Sequence, residues 1–518
     1  MSEAAEVIVN EVTLNERLAS LARNPPVIGA VAVVILLIGA QATGLTPWGP
    51  LFGQGEAELI GFDQARTRGI AEELVALGPR HSGSDAELQG AQIIAGHLES
   101  AGFDEVEILD FSVPMFEITR EPLFEFCRPG INPFNACGPF LNTEPDIILF
   151  NHTREFVLQG YSGSRVITFD QNVPVVDLGN GSDDVLWQDA ENSIGLLWSA
   201  GSVGGNTIAF LNAQANGLLA LIVVNDAMNC DQIVDGDCVP IFKTVDVTQF
   251  TSIPSDIPFM MVSRSVGELI QEEVVGGDAR LQMDIEVDNT NSRDIRVVCG
   301  TIFGKDETEI ILGAHHDTVY NGPGAVDDTS GTATVVEMGY QFGSLYQELG
   351  QPDHTLRICT WGGEEEGLHG SKAYVASRSD ELSSRLQLYA NFDMNHVDLE
   401  RGNSMTLFGN DAETVTQIEE VLTRFTETNP NVAQRYNVTV QVKNSIMDDP
   451  NGMPYNSDHG PFVYDLPGGA GNAIVCYGSG SWEYHTFADD MSRFNEESLS
   501  VSAIIYGTHV RQLAWGGN

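Results

Sequence analysis

Positively charged side chains are scarce in this chain. Its 518 residues hold 73 aspartates and glutamates against 25 lysines and arginines, for a formal net charge of -48, and only four of the bases are lysines. A field of this sign repels nucleic acid and anionic lipid and attracts cations. The composition therefore predicts no nucleic-acid partner and fits a saline or external setting, although an acidic balance shared by a whole proteome would look the same.

Charged residues are absent from one stretch, residues 27–45, in which every residue up to Ala40 is apolar or glycine. As a helix, this stretch is about long enough to cross a bilayer, at roughly 1.5 Å per residue. Bases precede it and the next one is Arg66, so the positive-inside bias puts residues 1–26 in the cytoplasm and the remainder outside. Because Ala40-Gln41-Ala42 has the form of a signal-peptidase site, cleavage stays open. We predict an extracytoplasmic protein, either anchored in the membrane by this helix or secreted.

Cysteine is also rare, with seven residues. Cys127 and Cys137 lie in a loop rich in Pro, Gly and Asn, and Cys230 and Cys238 flank an acidic loop. Close pairs in polar loops are typical of disulfides formed outside the cytoplasm, so two disulfides are predicted. The other cysteines occupy apolar, strand-like runs, where a thiol is usually a small buried hydrophobe. These predicted free thiols are Cys299, Cys359 and Cys476.

Length and composition indicate more than one folded unit. The apolar fraction of 42% is ordinary for a globular protein, and 518 residues exceed the usual size of one domain. From residue 294 onward, strands rich in Val, Ile and Leu alternate with helical segments, which is typical of an α/β sheet with helices on both faces. The predicted boundaries are 1–26 for a short cytoplasmic segment, 27–45 for a transmembrane or signal segment, 46–62 for a linker, 63–165 for the first part of the main domain with a loop excursion, 166–286 for a small inserted domain and 287–518 for the main catalytic part.

Histidine and aspartate stand together where the strand EIILG ends in GAHHD. In an extended segment residues two apart share a face, so His315 and Asp317 point together while His316 points away. His315 is then a candidate metal ligand, and Asp317 can accept a hydrogen bond from its other ring nitrogen and fix the tautomer. Because sites on such sheets gather at the carboxyl ends of strands, further candidates are expected there.

Carboxylates and a second histidine follow in the segments GPGAVDDTSGT, WGGEEEGLHGS, YANFDM and WEYHTFADD. Their candidate residues are Asp327, Glu364, Glu365, Asp393, Tyr484 and His485. Three carboxylates and two histidines suit a pair of oxophilic ions such as zinc, whose four positive charges these carboxylates and a bridging hydroxide would cancel. A carboxylate left uncoordinated, Glu364, could take a proton from that water and hand it to a leaving amine. Tyr484 could donate a hydrogen bond to the developing oxyanion.

A known family is recognisable at these residues. The blocks GAHHDTVYNGPGAVDDTSG, WGGEEEGLHGS, NFDM, SDHGPF and EYHTFADD, with LGPRHSGSD near the N-terminus, resemble the co-catalytic di-zinc exopeptidases of the aminopeptidase Y and glutamate carboxypeptidase group. The resemblance extends from about residue 63 to the C-terminus and implies the zinc exopeptidase fold, an α/β fold with a mixed central sheet and helices on both faces. Within 166–286, SIGLLWSAGSVGGNTIAFLNAQANGLLALIVVND resembles the protease-associated domain, a module inserted in such exopeptidases.

The family resemblance implies two zinc ions per chain and a role for each candidate residue. The implied metal ligands are His315 and Asp393 for one ion, Glu365 and His485 for the other, and Asp327 as the bridge. The implied catalytic residues are Glu364 as the base, Asp317 as the residue that orients His315, and Tyr484 as the donor to the tetrahedral intermediate. Asp458 and His459 match a block near the family's substrate pocket and receive no role.

The implied activity is hydrolysis of N-terminal residues of peptides by a water that bridges two zinc ions. Glutamate-specific relatives grip an acidic side chain with clustered arginines, and the arginines between the first and last ligand are not clustered in this sequence, which favours an aminopeptidase. Three alternatives stay open: a carboxypeptidase of glutamate carboxypeptidase type, a one-zinc glutaminyl cyclase and a non-catalytic receptor-like ectodomain. The expected partners are peptide substrates and, if the N-terminal helix is uncleaved, the membrane; the oligomeric state is open.

Overall fold

The computed structural model describes residues 58–128, 137, 146–198, 205–468 and 471–516. The segments predicted at 1–26 and 27–45 lie outside these ranges. Across the described residues, no helix combines the length and the apolar character that a membrane crossing needs. All the described helices and strands belong to one compact unit, Leu59–Trp515.

Helices and strands alternate along most of this unit. The helices, in chain order, are α1 (Gln64–Val75), α2 (Asp85–Ala101), α3 (Asp184–Asp189), α4 (Gly205–Ala215), α5 (Arg264–Ile270), α6 (Thr329–Leu349), α7 (His369–Ser377), α8 (Ser379–Arg385), α9 (Ala412–Thr428), α10 (Pro430–Ala433), α11 (His459–Tyr464) and α12 (Glu496–Trp515). The strands are β1 (Glu105–Pro114), β2 (Glu117–Ile118), β3 (Leu123–Arg128), β4 (Asp146–Leu149), β5 (Phe156–Leu158), β6 (Arg165–Ile167), β7 (Val175–Asp177), β8 (Ile194–Trp198), β9 (Ala220–Val224), β10 (Phe259–Val262), β11 (Arg280–Ile285), β12 (Val287–Asp288), β13 (Ser292–Ile302), β14 (Glu309–His315), β15 (Thr355–Trp361), β16 (Leu386–Phe392), β17 (Ser404–Gly409), β18 (Asn437–Val442) and β19 (Ala473–Tyr477).

An eight-stranded mixed sheet forms the centre of the unit, in the order β1-β13-β15-β14-β16-β19-β17-β18. The four neighbouring strands β15, β14, β16 and β19 are parallel, whereas β13 is antiparallel to both of its neighbours and β17 is antiparallel to β19. The mixed α/β sheet agrees with the predicted fold. Because the central strands are parallel, their carboxyl ends meet at one edge of the sheet.

Buried side chains on β14 show how both faces of the sheet are covered. Ile310, Leu312 and Ala314 pack in a core that includes residues of α1, α2, α6, α9 and α12. Ile311 points to the opposite face, where it packs in a second core with residues of α7, α8 and α11. The alternation follows from the two-residue period of a strand, and burial on both faces explains why these strands are apolar throughout. Helices therefore cover both faces, as the sequence pattern predicted.

Three smaller sheets lie between β1 and β13 in the chain, the smallest of which is the antiparallel pair β12 and β2. A five-stranded sheet has the order β5-β10-β9-β8-β7, and a four-stranded antiparallel sheet has the order β4-β3-β11-β6. Their residues share a hydrophobic core that is separate from the two cores of the central sheet. Most of this region coincides with the small domain predicted at 166–286, while β3, β4 and β5 come from residues before it. The likeness of the region to a protease-associated domain stays a prediction.

Disulfides join six of the cysteines. The bonds Cys127–Cys137 and Cys230–Cys238 confirm the two predicted pairs. The prediction of free thiols at Cys299 and Cys359 is wrong, because these two residues also form a disulfide. They lie directly opposite each other on the antiparallel pair β13 and β15, with 4.2 Å between their Cα atoms. Cys476 is a free, buried thiol, as predicted.

Candidate metal centre

The predicted metal ligands lie at the carboxyl edge of the parallel strands. His315 is the last residue of β14, Asp393 directly follows β16, and Glu365 lies in the loop between β15 and α7. Asp327 precedes α6 in the loop after β14, and His485 lies in the loop that follows β19. The expectation that these residues meet at strand ends is confirmed by their positions.

Asp327 lies between the two histidines. Its Oδ1 is 3.1 Å from His315 Nε2, and its Oδ2 is 2.9 Å from His485 Nε2. His485 Nε2 is also 3.1 Å from Glu365 Oε2, while His315 Nε2 is 3.9 Å from an oxygen of Asp393. One carboxylate thus faces both imidazoles, which is the arrangement that a bridging ligand requires.

Two triads of side chains have the composition and spacing of metal sites. In each triad, the candidate ligand atoms all lie within 4.8 Å of one another. The first triad is His315, Glu364 and Asp393, and the second is Asp327, Glu365 and His485. Glu364 is thus a member of the first triad together with two predicted ligands, and its Oε2 lies 3.9 Å from His315 Nε2.

Backbone carbonyl oxygens accept a hydrogen bond from Nδ1 of both histidines, which orients both imidazole rings in the same way. His315 Nδ1 donates to the carbonyl oxygen of Asp317 at 3.1 Å, and His485 Nδ1 donates to the carbonyl oxygen of Phe242 at 2.7 Å. The Asp317 carboxylate lies 3.5 Å from His315 Nδ1, so the backbone carbonyl of the same residue is the nearer acceptor. In both histidines Nε2 is then the nitrogen that faces the carboxylates, and it is the nitrogen left to bind a metal when the imidazole is neutral.

Asp317 also holds the loop that carries the two glutamates. The backbone N–H groups of Glu364 and Glu365 each donate to its carboxylate at 3.2 Å. Ser82 donates to the same carboxylate through its hydroxyl at 2.9 Å, and it also contacts Glu366. Ser82 thereby connects the LGPRHSG block, residues 77–83, to the loop that carries the two glutamates.

The neighbouring residues His316 and Glu366 point away from the two triads. His316 Nε2 lies 3.1 Å from Glu87, and its Nδ1 lies 3.0 Å from the hydroxyl of Thr360. Glu366 forms an ion pair with His81 at 2.8 Å. Asp458 and His459, which the sequence left without a role, are buried at the start of α11 and belong to neither triad.

Two further aspartates support the ligand loop, and the sequence did not assign them a role. Asp489 accepts hydrogen bonds from the backbone N–H groups of Val326 at 2.9 Å and Asp327 at 3.1 Å. Asp328 caps α6 through Gly331 N at 2.9 Å and accepts from Met394 N, next to Asp393, at 2.9 Å. Both stand in motifs that the sequence singled out, but a local pattern cannot distinguish a ligand from the carboxylate that positions it.

Burial controls the protonation of the carboxylates. It raises the pKa of Glu364 well above the ordinary value and also raises the pKa values of Glu365 and Asp393. Burial opposes a charge on His485, yet the adjacent Glu365 raises the pKa of this imidazole to about 9. In Asp327 burial acts in the opposite direction to the hydrogen bonds from the two histidines, which prevail and lower its pKa.

The donor set fits a pair of divalent cations. In the metal-free protein the cluster retains protons because its buried negative charges need compensation, and bound dications would cancel the same charge. Glu365 Oε1 is buried and has no hydrogen-bond partner among the described residues, so one ligand oxygen is left unused by the protein. Nitrogen and carboxylate oxygen donors at this spacing suit zinc.

A cavity of about 810 Å³ opens next to the two triads. Glu364, Asp393 and His485 form part of its wall, and Tyr484 and Lys243 lie beside them. The Tyr484 ring stacks on the His485 ring with 3.8 Å between centroids, and burial raises the pKa of its phenol well above the ordinary value. The phenol therefore remains protonated and can donate a hydrogen bond at the cavity.

Comparison with known proteins supports the family that the motifs indicated. Residues 297–507 match peptidase family M28. An aminopeptidase of Pseudomonas aeruginosa is 26% identical over 265 residues, which cover 50% of this chain and 46% of that protein. Aminopeptidase YwaD of Bacillus subtilis is 24% identical over 372 residues, which cover 71% of this chain and 70% of that protein.

A solved structure shows the same fold. BSAP, a zinc aminopeptidase from Bacillus subtilis, is similar with a TM-score of 0.63 at 19% identity, over 89% of this chain and 98% of that one. The chain spans about half the length of the Pseudomonas relative that it matches. The family match, the relatives and the fold agree with the five sequence blocks. Residues 297–507 therefore match peptidase family M28, and the chain is similar to the di-zinc exopeptidases that its motifs indicated.

Proposed function

We propose that the protein is a zinc-dependent aminopeptidase that removes N-terminal residues from peptides. The observation that carries this proposal is the position of the Asp327 carboxylate, which faces His315 Nε2 at 3.1 Å and His485 Nε2 at 2.9 Å. A carboxylate shared by two histidines, with further carboxylates on either side and a cavity next to it, is the arrangement expected of a two-metal hydrolase.

Each ion has its own ligands in this proposal. His315 and Asp393 hold one zinc ion, Glu365 and His485 hold the other, and Asp327 lies between them. Zinc bound at these residues supplies a Lewis acid for the scissile carbonyl and lowers the pKa of a water molecule.

Glu364 is the general base of the reaction. Glu364 lines the cavity, and burial raises its pKa above the ordinary value of a glutamate, which makes its carboxylate a stronger base. It takes a proton from the attacking water and delivers it to the nitrogen of the leaving amine. The backbone hydrogen bond from Glu364 N to Asp317 holds this side chain at the cavity.

Tyr484 is the donor to the oxyanion that forms when the peptide carbonyl is attacked. Its stacking on His485 places the phenol ring at the second triad, and Tyr484 lines the cavity. A hydrogen bond that strengthens as the oxygen gains charge lowers the barrier more than it strengthens substrate binding.

The cavity wall favours an aminopeptidase over a glutamate-specific carboxypeptidase. Among the described residues that line it there is no arginine, and its cations are Lys243 and Lys372. The clustered arginines that grip an acidic C-terminal residue in the glutamate carboxypeptidase group have therefore no counterpart in the described wall. The names of the similar aminopeptidases support the same choice.

A panel of substrates tests the proposed activity. Aminoacyl anilides with a free amine should be cleaved, and the same compounds with an acetylated amine should not. A chelator should stop the reaction, and added zinc should restore it. Cleavage of C-terminal glutamate from blocked peptides would instead indicate the carboxypeptidase, and formation of pyroglutamate by an enzyme with a single zinc ion would indicate the cyclase.

We also propose that the protein works outside the cytoplasm, with the segment at 27–45 directing its export. A further proposal is that the region at 166–286 is an inserted protease-associated domain. The disulfides support an oxidising compartment, since such bonds are rare in cytosolic proteins. The parallel strands β7 to β10 around α4 support the inserted module. Fractionation of cells that make the full chain, with a tag at its C-terminus, tests the location.

A further inference from the structure

Two residues of the inserted region, Phe242 and Thr244, form hydrogen bonds to residues of the second triad. The backbone of Phe242 both donates to the carbonyl oxygen of His485 at 3.1 Å and accepts from His485 Nδ1 at 2.7 Å. The hydroxyl of Thr244 donates to the carbonyl oxygen of Glu365 at 2.7 Å. Between them, the Lys243 side chain reaches into the cavity. The segment 242–244 is therefore built into the metal centre.

Lys243 interacts with Tyr484 in two ways. Its ammonium donates a hydrogen bond to the phenolic oxygen of Tyr484, and its Nζ also lies 4.2 Å from the centroid of the tyrosine ring. The Tyr484 ring also stacks on the His485 ring, with 3.8 Å between the two centroids. The tyrosine is thus held between a cation from the inserted region and a candidate metal ligand.

The Lys243 ammonium forms no close ion pair with any described residue, although the carboxylates of the candidate metal centre act on it from further away. Among the described residues, no carboxylate oxygen lies within 4.0 Å of its Nζ, whereas the surface residue Lys305 pairs with Asp353 at 2.8 Å. Lys372 lines the same cavity and, among the described residues, also has no close ion pair, so the feature that sets Lys243 apart is its hydrogen bond to Tyr484. Its close partner is the phenol that is proposed to serve the reaction.

We propose that Lys243 is a positioning residue of the peptidase reaction and acts through Tyr484. The phenolic oxygen accepts the hydrogen bond from Lys243, so its own O–H is left to donate to the oxyanion of the substrate. A charged donor on the same oxygen polarises the phenol and makes it a stronger donor, because hydrogen bonds in a chain reinforce one another. The effect is largest when the oxyanion forms, so Lys243 serves kcat more than substrate binding.

The inserted region then takes part in the chemistry itself. Its segment 242–244 orients His485 through Phe242 and polarises Tyr484 through Lys243, in addition to forming a wall of the cavity. This inference rests on the proposed aminopeptidase function. The experiment must therefore separate a failure of the inference from a failure of that function.

A double-mutant cycle between Lys243 and Tyr484 tests the proposal. The variants are Lys243→Met, Tyr484→Phe and the combination of both, assayed on an aminoacyl anilide with zinc content and Tm measured for each. We expect each single variant to lower kcat by roughly 10- to 100-fold with a small change in KM. In the Tyr484→Phe background, Lys243→Met should lower kcat by less than about threefold, because the residue through which it acts is gone.

Lys372 provides the matched control. It lines the same cavity, and its Nζ lies 5.5 Å from the ring centroid of another tyrosine, Tyr455. Any effect of Lys372→Met should multiply with that of Tyr484→Phe, because the two side chains are not in contact. Lys243→Gln replaces Lys243→Met in the cycle if the methionine variant does not fold.

Two results would overturn the inference while the wild type remains active. In the first, the fold losses in kcat caused by Lys243→Met and Tyr484→Phe multiply in the double variant. In the second, a loss of bound zinc accounts for the whole loss of activity in Lys243→Met. The second result would show that Lys243 only maintains the metal centre. A wild-type, zinc-loaded protein that cleaves no free-amine substrate would instead refute the proposed function and the inference with it.

Discussion

The backbone N–H of Glu364 donates a hydrogen bond to the carboxylate of Asp317 at 3.2 Å. The other oxygen of this carboxylate accepts from Glu365 N at 3.2 Å, and the imidazole of His315 lies next to it. One buried carboxylate thus joins the strand end that carries the first histidine to the loop that carries both glutamates. The relative positions of the proposed base and the proposed ligands depend on Asp317.

Replacing Asp317 should therefore damage both zinc binding and turnover. Asp317→Ala removes the acceptor of two backbone N–H groups and leaves the His315 ring without its neighbouring negative charge. We expect zinc affinity and kcat each to fall by roughly 10- to 100-fold, the usual cost of losing a residue that orients a ligand. Competition with a chelator of known affinity measures zinc binding, and anilide hydrolysis measures kcat.

Asp353→Asn is a suitable control for Asp317→Ala, because Asp353 pairs with Lys305 on the surface. Exposed ion pairs contribute little, so this variant should keep its zinc and its activity. Equal behaviour of the two variants would show that Asp317 does not position the site.

A comparison of two adjacent glutamates distinguishes the base from the ligand. Glu364→Gln should lower kcat by roughly 10²- to 10⁴-fold, because the amide cannot take a proton from water, and it should leave two zinc ions bound. Glu365→Gln should lose zinc, because it weakens the triad of Asp327, Glu365 and His485. Metal analysis beside kinetics makes the comparison.

A loss of zinc in Glu364→Gln would be explained by the position of this side chain beside His315. Its Oε2 lies 3.9 Å from His315 Nε2, the same distance at which Asp393 lies. If Glu364→Gln lost zinc to the same extent as Glu365→Gln, the first triad as a whole would be a ligand set, and the assignment of Glu364 as the base would be wrong.

The sequence predicted the sheet and the candidate ligands because both are local features. The apolar strands are read from composition. His315 ends one such strand, Asp393 directly follows another, and the glutamates lie in the loop after a third. Parallel strands bring their carboxyl ends together, so residues far apart in the chain meet without any other signal.

No sequence pattern indicated the contacts that the inserted region makes with the candidate metal centre. Phe242 reaches His485 across 243 residues, and it does so through its backbone, whose bonding no side-chain pattern reveals. Lys243 offers one hint, since it is one of four lysines in a strongly acidic chain, but its target depends on how the insert folds against the central sheet. The pair Cys299–Cys359 was missed for a similar reason, because it depends on the register of β13 against β15.

Thiol titration tests the disulfide assignment. In denaturant without reductant, the protein should show a single thiol, that of Cys476, and with reductant it should show seven. Three thiols before reduction would mean that Cys299 and Cys359 are unpaired, as their apolar surroundings first indicated. Cys476→Ser is the control, since it should remove the one thiol seen without reductant.

Stability against pH should distinguish the zinc-free protein from the loaded one. Burial raises the pKa of Asp489 from 3.8 to about 8, and Glu365, against the effect of burial, raises the pKa of His485 from 6.5 to about 9. A group with a raised pKa binds its proton more tightly in the folded state. Its contribution to stability is full below the unfolded pKa and is lost as the pH rises through the folded pKa.

The Tm of the zinc-free protein should therefore fall as the pH rises from about 4 to about 9, and most steeply between about 6.5 and 8, where the folded state holds two protons that the unfolded chain has lost. Zinc at the triad of Asp327, Glu365 and His485 replaces the proton of His485 with a charge that does not titrate there, so the loaded protein should show a shallower fall. Scanning calorimetry at several pH values, with and without chelator, makes the comparison. Equal slopes for the two forms would show that the cluster does not exchange protons for metal and would count against the zinc centre itself.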